Sequence, residues 1–270
     1  MVKKTNHFIF PYIGNKITEE PHIIPYLTSI IDKNNITTIV EPFTGSASLS
    51  YMIWKHYPNK KFKYILNDTD KNLINFYNTL KNTSEEDLKK MESDYFDIVK
   101  NIQTNEQYNH FIKQEGLMPY FVKYNFYNIN PGRFPALKLN NHKINIYRLN
   151  ILESGIYQFI KNNDIEFNLG DGIPLFDKYK DDKQTLIISD PPYINLCNSS
   201  YNYKDGSDMY QYIYNNDTLT YKSHLIFIVQ KMWIINLLFE DWNTLNTYHK
   251  MYNITKRKVE HVILYNHFLK

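Results

Sequence analysis

Short apolar runs alternate with amphipathic segments along the chain, and this pattern predicts an α/β fold. Residues 71–82 have apolar positions three and four apart, which predicts a helix. Segment 258–266 alternates apolar and polar residues and predicts an edge strand or the last strand of a hairpin. Alternating strands and helices indicate a mostly parallel sheet with both faces covered. The five apolar runs that predict buried strands cover residues 37–43, 63–68, 165–171, 185–190 and 224–231.

The spacing of these runs predicts an inserted subdomain. Residues 69–164 separate the second predicted strand from the third, and a single crossover helix does not need that much chain. We therefore predict a core formed by residues 1–70 and 160–270, with a mainly helical insertion at residues 71–159.

Composition narrows the class of protein. Of the 270 residues, 43% are hydrophobic and 22% are charged, as in globular proteins, and no apolar stretch approaches the roughly 18 residues of a membrane span. The N-terminus lacks the long apolar segment of a signal peptide. A single cysteine, Cys197, excludes an internal disulfide framework and a cysteine-based zinc cluster. We expect a cytoplasmic protein (in the host cell if a virus or phage encodes it) with no metal and no membrane partner.

Positive charge is concentrated in residues 110–150, which we call the basic segment. It holds six cationic residues and one acidic residue, Glu115. This asymmetry is typical of a phosphate-binding face, and a solvated surface is the alternative. The six cations are Lys113, Lys123, Arg133, Lys138, Lys143 and Arg148.

Three predicted strands end in residues suited to a nucleoside-containing ligand. After the first, "EPFTGSAS" provides a tight turn at Gly45 followed by small residues, although Ala47 stands where a GxGxxG loop has glycine. Asp68 follows the second strand and can accept hydrogen bonds from a ribose diol. Asp171 follows the third and can contact a base or another polar edge. A small-residue turn without a P-loop favours S-adenosyl-L-methionine over ATP or NAD.

The fourth strand ends in "SDPPY", which we interpret as a reactive tip. Proline cannot donate a ladder hydrogen bond, so the strand stops here. Asp190 and the Pro191 carbonyl can accept the two N–H bonds of an aromatic amine, while Pro192 keeps the backbone rigid. Tyr193 can stack on a base that has left its helix. The alternative is a proline-terminated strand with an exposed tyrosine.

These motifs and their order resemble the Dam-like (D12 class) adenine-specific DNA methyltransferases. "DPPY" resembles their catalytic motif, "VEPFTGSAS" their cofactor motif and "FPYIGNK" their N-terminal motif. The resemblance implies a Rossmann-like S-adenosylmethionine-dependent methyltransferase fold with an inserted target-recognition subdomain. Ala47 departs from a glycine common in the family. The cofactor-binding residues implied are Tyr12, Gly14, Asn15 and Lys16 for the methionine part, with Glu41, Pro42, Phe43, Gly45, Ser46, Asp68 and Asp171.

DNA recognition is expected in the basic segment, because docking needs phosphate contacts and sequence reading needs base contacts. Lys113, Lys123, Lys138 and Lys143 are candidates for phosphate. Arg133 and Arg148 are candidates for guanine or for phosphate. Tyr127 or Phe134 can fill the gap left by a flipped base, although such rings are more often part of a core.

The resulting hypothesis is methylation of the exocyclic amino group of a flipped adenine at specific sites in duplex DNA. GATC is the first target sequence to test. The alternatives are an amino methyltransferase for cytosine, RNA or protein glutamine, and an inactive relative that binds nucleic acid. Expected partners are double-stranded DNA and a cognate restriction endonuclease encoded nearby, and we expect a monomer or weak dimer.

Overall fold

The computed structural model describes residues 14–102, 104–114, 116–127, 151–193, 207–252 and 257–267. The chain divides into two compact units. The sheet unit comprises residues 16–71 and 163–270, and the helical unit comprises residues 1–15 and 72–162. Among the described residues, no helix is long and apolar enough to cross a membrane.

The sheet unit contains seven strands in the order β3-β2-β1-β4-β5-β7-β6. The first five are parallel to one another, whereas β7 is antiparallel to both β5 and β6. The strands are β1 (Thr38–Glu41), β2 (Lys63–Asp68), β3 (Asp164–Leu169), β4 (Thr185–Ser189), β5 (His224–Gln230), β6 (Asn243–Tyr252) and β7 (Arg257–Tyr265).

Six predicted strands correspond to observed strands, with ends that differ by one or two residues. β1 ends at Glu41 and β3 at Leu169, so the turns that follow begin earlier than predicted. The edge-strand interpretation of the last segment was wrong. β7 lies between β5 and β6 and pairs with both, and the uninterrupted burial of residues 261–266 shows that both faces of the sheet are covered there. It is the final hairpin strand, and its partner β6 was not predicted.

Helices cover both faces of the sheet. The helices of this unit are α1 (Glu20–Lys33), α2 (Ser48–His56), α8 (Ile173–Tyr179), α9 (Ser207–Asn215) and α10 (Trp233–Leu238). Helices α8 to α10 contribute to one core with Val40, Ile65 and Ile187 from the central strands. The alternate strand residues, such as Ile39 and Leu186, are buried as well, so the opposite face is also covered. This architecture confirms the predicted α/β class with a mostly parallel sheet.

The helical unit begins with α3 (Lys71–Asn82), which matches the predicted helix. It continues with α4 (Glu85–Asn101), α5 (Asn105–Phe111), α6 (Leu117–Tyr127) and α7 (Ile156–Asn162). Phe76 of α3 stacks on Tyr120 with ring centroids 4.3 Å apart. Thr104 and Gln107 form a capping box that starts α5. The Glu92 carboxylate accepts the Ile151 N–H at 2.7 Å and so fixes the chain before α7.

Candidate active site

Asp190 lies immediately past the carboxyl end of β4, where an open parallel sheet places its ligands. Its carboxylate forms an ion pair with the Lys16 ammonium. The Tyr193 hydroxyl donates a hydrogen bond to Asp190 Oδ1 at 3.0 Å. Two side chains therefore fix the orientation of this carboxylate, as a hydrogen-bond acceptor at a reactive tip requires.

Lys16 is the unexpected member of this group. The sequence predicted it as a cofactor residue, yet the structure directs its amine to Asp190. Only 2% of Lys16 is exposed, and its ammonium lies 5.7 Å from the centroid of the Tyr193 ring. The Lys16 N–H donates to Ser48 Oγ at 3.1 Å, which joins the segment before α1 to the start of α2. The buried Lys16 ammonium needs a partner such as the Asp190 carboxylate, because an unpaired charge in the interior is strongly destabilising.

Tyr193 is packed into the protein. It is 6% exposed, and the His261 ring packs against it at an interplanar angle of 76° with the ring centroids 5.4 Å apart. Its hydroxyl supports Asp190 in this arrangement. The predicted stacking of Tyr193 on a base stays a prediction.

The turn after β1 is built around Asp68. Asp68 Oδ2 accepts the Gly45 N–H at 2.9 Å, and Oδ1 accepts the Asp70 N–H at 2.9 Å. Gly45 adopts a φ of 49°, which glycine tolerates without strain. Burial raises the pKa of Asp68, while the N–H donors oppose that rise. The carboxylate predicted to meet a ribose thus also holds the turn next to it.

Two residues that the sequence analysis did not single out bring the turns after β1 and β3 together. The Asn67 amide donates to the Pro42 carbonyl and to the Gly170 carbonyl, each at 2.9 Å. A Cβ on Gly172 would lie 2.3 Å from the Pro42 carbonyl oxygen, so this position requires glycine. Asn67 directly precedes Asp68 and Gly172 directly follows Asp171, and this adjacency to the two predicted acids is the only indication of them in the sequence.

Glu41 and Ala47 shape the start of α2. The Glu41 carboxylate accepts the Ser50 N–H at 2.8 Å and also the Ser50 hydroxyl, so it faces α2. Ala47 has φ 56° and ψ 24°, the left-handed region that favours glycine. This conformation explains in physical terms why alanine is a departure here.

The remaining cofactor candidates differ in their surroundings. Ser46 is buried, and the Thr44 hydroxyl is buried without a hydrogen-bond partner among the residues that the structure describes. Asp171 is exposed, and its Oδ1 accepts the Ile173 N–H at 3.0 Å at the start of α8. Pro42 and Phe43 lie in the same turn as Gly45. Gly14 (φ 88°) and Asn15 belong to the helical unit, and Tyr12 lies outside the described residues.

Most of the predicted DNA contacts lie outside the described residues. Lys113 is exposed on the helical unit, just after α5. Lys123 and Tyr127 lie in α6. Arg133, Phe134, Lys138, Lys143 and Arg148 fall in residues 128–150, which the structure does not describe. The predicted DNA-binding roles of all these residues stay predictions.

The mostly parallel sheet, with polar residues at the carboxyl ends of its strands, defines a Rossmann-like α/β fold. The family model of the D12 class N6 adenine-specific DNA methyltransferases matches residues 12–213, and the chain belongs to this family. The match confirms the resemblance inferred from the motifs.

A solved structure from Listeria monocytogenes, assigned as a class I S-adenosylmethionine-dependent methyltransferase, is similar at 12% identity with a TM-score of 0.44. The alignment covers 97% of this chain and 62% of that one, so the chain spans less than two thirds of its neighbour's length. No curated protein sequence matches the chain.

Proposed function

We propose that this chain methylates the exocyclic amino group of adenine at specific sites in double-stranded DNA. The single observation that carries this proposal is the Asp190 carboxylate, held at the tip of β4 by Lys16 and Tyr193 in a member of the D12 family. Asp190, Pro191, Pro192 and Tyr193 form the proposed catalytic tip.

The chemistry follows from the amine. The nitrogen lone pair of adenine is delocalised into the ring, so the amino group is a poor nucleophile. Asp190 accepts a hydrogen bond from one N–H of the amino group, and the Pro191 carbonyl accepts a hydrogen bond from the other. Both hydrogen bonds strengthen as the nitrogen gains positive charge. Because the prolines and the ion pair fix these acceptors beforehand, little reorganisation is needed during the reaction.

The residues at the strand ends fit the cofactor. The Thr44 hydroxyl is buried and unpartnered in the described part of the chain, and the Gly172 position leaves no room for a side chain. When bound, S-adenosyl-L-methionine would supply an activated methyl group: the new N–CH₃ bond would replace its S–CH₃ bond, the neutral thioether would be the leaving group, and the methylated nitrogen would then release one N–H proton to water. Gly45 and Ser46 would form the close turn beside it, and Asp68 would accept from its ribose. Asp171 and the N-terminal motif, from Tyr12 to Lys16, would contribute further contacts.

DNA recognition is proposed for the helical unit and its basic segment, in which Lys113 is exposed. The lysines would contact phosphates, and Arg133 and Arg148 would contact guanine or phosphate. A flipped adenine would then reach Asp190. The restriction endonuclease partner, the monomer or weak dimer and the intracellular location are part of this proposal.

The test is a labelled methyl-transfer assay on unmodified genomic DNA, followed by modification-sensitive sequencing. Parent protein should label adenine at one short sequence motif. Asp190→Asn keeps the side-chain volume but replaces an acceptor oxygen with a donor. We expect kcat to fall by about 10²- to 10³-fold while cofactor affinity changes little.

Asp241→Asn is the matched control, because Asp241 is an exposed carboxylate of the same unit. It should leave transfer unchanged. Label on cytosine, RNA or protein glutamine would replace the adenine assignment. Cofactor binding without any transfer would contradict the enzyme proposal, and near-normal turnover of a folded Asp190→Asn variant would contradict the assignment of the tip.

A further inference from the structure

A buried cluster of charged and polar side chains lies behind the proposed catalytic tip. Its centre is Glu19, which is 3% exposed and ends the short 3₁₀ turn before α1. The Tyr248 hydroxyl donates to Glu19 Oε2 at 2.7 Å, and His261 Nδ1 lies 3.2 Å from the same oxygen. Lys250 forms an ion pair with the other oxygen. We call these four residues the charge cluster; three of them come from the β6–β7 hairpin.

The charge cluster reaches Asp190 by two routes. Lys16, the partner of Asp190, precedes the 3₁₀ turn, and its carbonyl accepts the Glu19 N–H at 2.8 Å. His261, which contacts Glu19, also packs its ring against Tyr193, the second partner of Asp190. Both residues that fix the catalytic carboxylate therefore touch or adjoin the charge cluster.

The electrostatics couple the same groups. Burial alone would raise the pKa of Glu19, but Lys16, His261 and Lys250 outweigh it and hold that pKa far below its ordinary value. The pKa of Lys250 is lowered, first by burial and then by repulsion from Lys16, and Glu19 opposes this shift. Two ammonium groups, Lys16 and Lys250, thus share the interior with two carboxylates, Glu19 and Asp190.

Packing alone does not require these charges. Apolar side chains of similar volume generally stabilise a core as well as a buried ion-pair network does. What the charges add for the Lys16 ammonium is its ion pair with Asp190 and a second electrostatic attraction to Glu19. Without the Glu19 carboxylate, Lys250 would lose its ion-pair partner, and Glu19 would no longer offset the repulsion between Lys250 and Lys16.

We propose that Glu19 is a positioning residue of the methyl-transfer site: its carboxylate, with Lys250 and His261, fixes Lys16 and Tyr193 and thereby the orientation of Asp190. This inference rests on the proposed function and deepens it. Glu19 touches neither substrate nor cofactor in this assignment, and its effect on the reaction passes through Lys16 and Tyr193.

The test combines Glu19→Gln, Lys250→Met and the double variant. Glu19→Gln keeps the shape and one acceptor oxygen, but it removes the charge and replaces the other oxygen with an N–H donor. We expect it to lower kcat about a hundredfold, as misplacement of a reacting group does, while KM for DNA and cofactor affinity change less than threefold. Lys250→Met removes one of the two cations, so the double variant should recover at least tenfold of the lost kcat.

Glu20→Gln is the matched control. Glu20 is the next residue, and its carboxylate pairs with His56 at 3.0 Å near the surface instead of facing the cluster. It should leave kcat unchanged. A folded Glu19→Gln variant with parental kcat would overturn the proposal. So would a double variant that is no more active than Glu19→Gln, because the cluster would then serve stability alone.

A second measurement needs neither DNA nor cofactor. Acylation of the Lys16 amine by a small amine-reactive reagent, followed by mass spectrometry, should be slow in the parent and at least tenfold faster in Glu19→Gln. The double variant should restore protection. Unchanged labelling in Glu19→Gln overturns this inference even if the parent proves inactive on DNA, whereas failure of transfer with the expected labelling pattern overturns only the proposed function.

Discussion

Glu41 is the residue whose protonation the fold most clearly alters near neutral pH. Burial raises its pKa to about 7 from an ordinary 4.5, and the Ser50 donors only partly oppose the rise. The folded state therefore holds this proton at pH values where the unfolded chain has released it. Stability from this group is full below about pH 4.5, falls as the pH rises through 7, and stays low above that value.

The prediction concerns Glu41→Gln, which imitates the protonated side chain while still accepting from Ser50. Between pH 4.5 and 7.5 the free energy of unfolding of the parent should fall relative to the variant by roughly 3 kcal/mol. Urea titrations at several pH values measure this difference. Burial lowers the pKa of His224 to about 4, which gives an opposite slope, but both proteins share it.

Glu166→Gln provides the comparison, because Glu166 is an exposed carboxylate on β3. Its difference from the parent should stay flat over the same range. A flat difference for Glu41→Gln as well would show that Glu41 is not protonated in the folded state at pH 6.

At the scale of elements, the turns after β1 and β3 are packed directly on each other. The Asn67 amide bridges them, and the absence of a side chain at Gly172 lets the start of α8 approach the Pro42 carbonyl. These turns carry the predicted cofactor residues Gly45 and Asp171. Their spacing therefore decides whether a single ligand can contact both.

Gly172→Ala should separate the two turns, since the new methyl group would overlap backbone atoms that cannot rotate away. We expect a loss of about 1–3 kcal/mol in the free energy of unfolding. Cofactor affinity, measured by equilibrium dialysis on folded protein, should fall at least tenfold. A variant of parental stability and affinity would mean that the turns can move apart freely and that their packing does not define the site.

The sequence predicts the strands and motifs that are formed by residues contiguous in the chain. Strands β1, β2, β4 and β5 are mostly apolar runs because they are largely buried on both faces, whereas β3, at the edge of the sheet, has Ile165 and Phe167 between polar residues. The motif "DPPY" and the segment around Asp68 are contiguous in the sequence. Strand β6 escaped prediction because it pairs only with β7 at the edge and is mostly polar. The contacts that complete the site join residues far apart in the chain: 174 positions separate Lys16 from Asp190, and 231 separate Glu19 from Lys250. No periodicity in the sequence encodes such pairs.

For the whole molecule, the uneven distribution of charge is the property most relevant to DNA. The net charge is only +3, but the basic segment carries six cations against one anion. If these cations neutralise phosphates, binding releases counterions, and the logarithm of the association constant falls linearly with the logarithm of salt concentration. The slope therefore counts the phosphate contacts, whatever the target sequence.

Replacing Lys138, Lys143 and Arg148 with glutamine should reduce that slope by about 2–3 and weaken binding to all DNA sequences alike, because each lost phosphate contact removes nearly one unit. Fluorescence anisotropy at several salt concentrations measures it. The control replaces Lys61, Lys178 and Lys183 with glutamine. These lysines are exposed near the amino ends of the strands, whereas Asp190 lies past the carboxyl end of β4. Both triple variants change the net charge equally. An equal slope change in the two would show that overall charge attracts the DNA, whereas a change confined to the first would place phosphate binding in the basic segment.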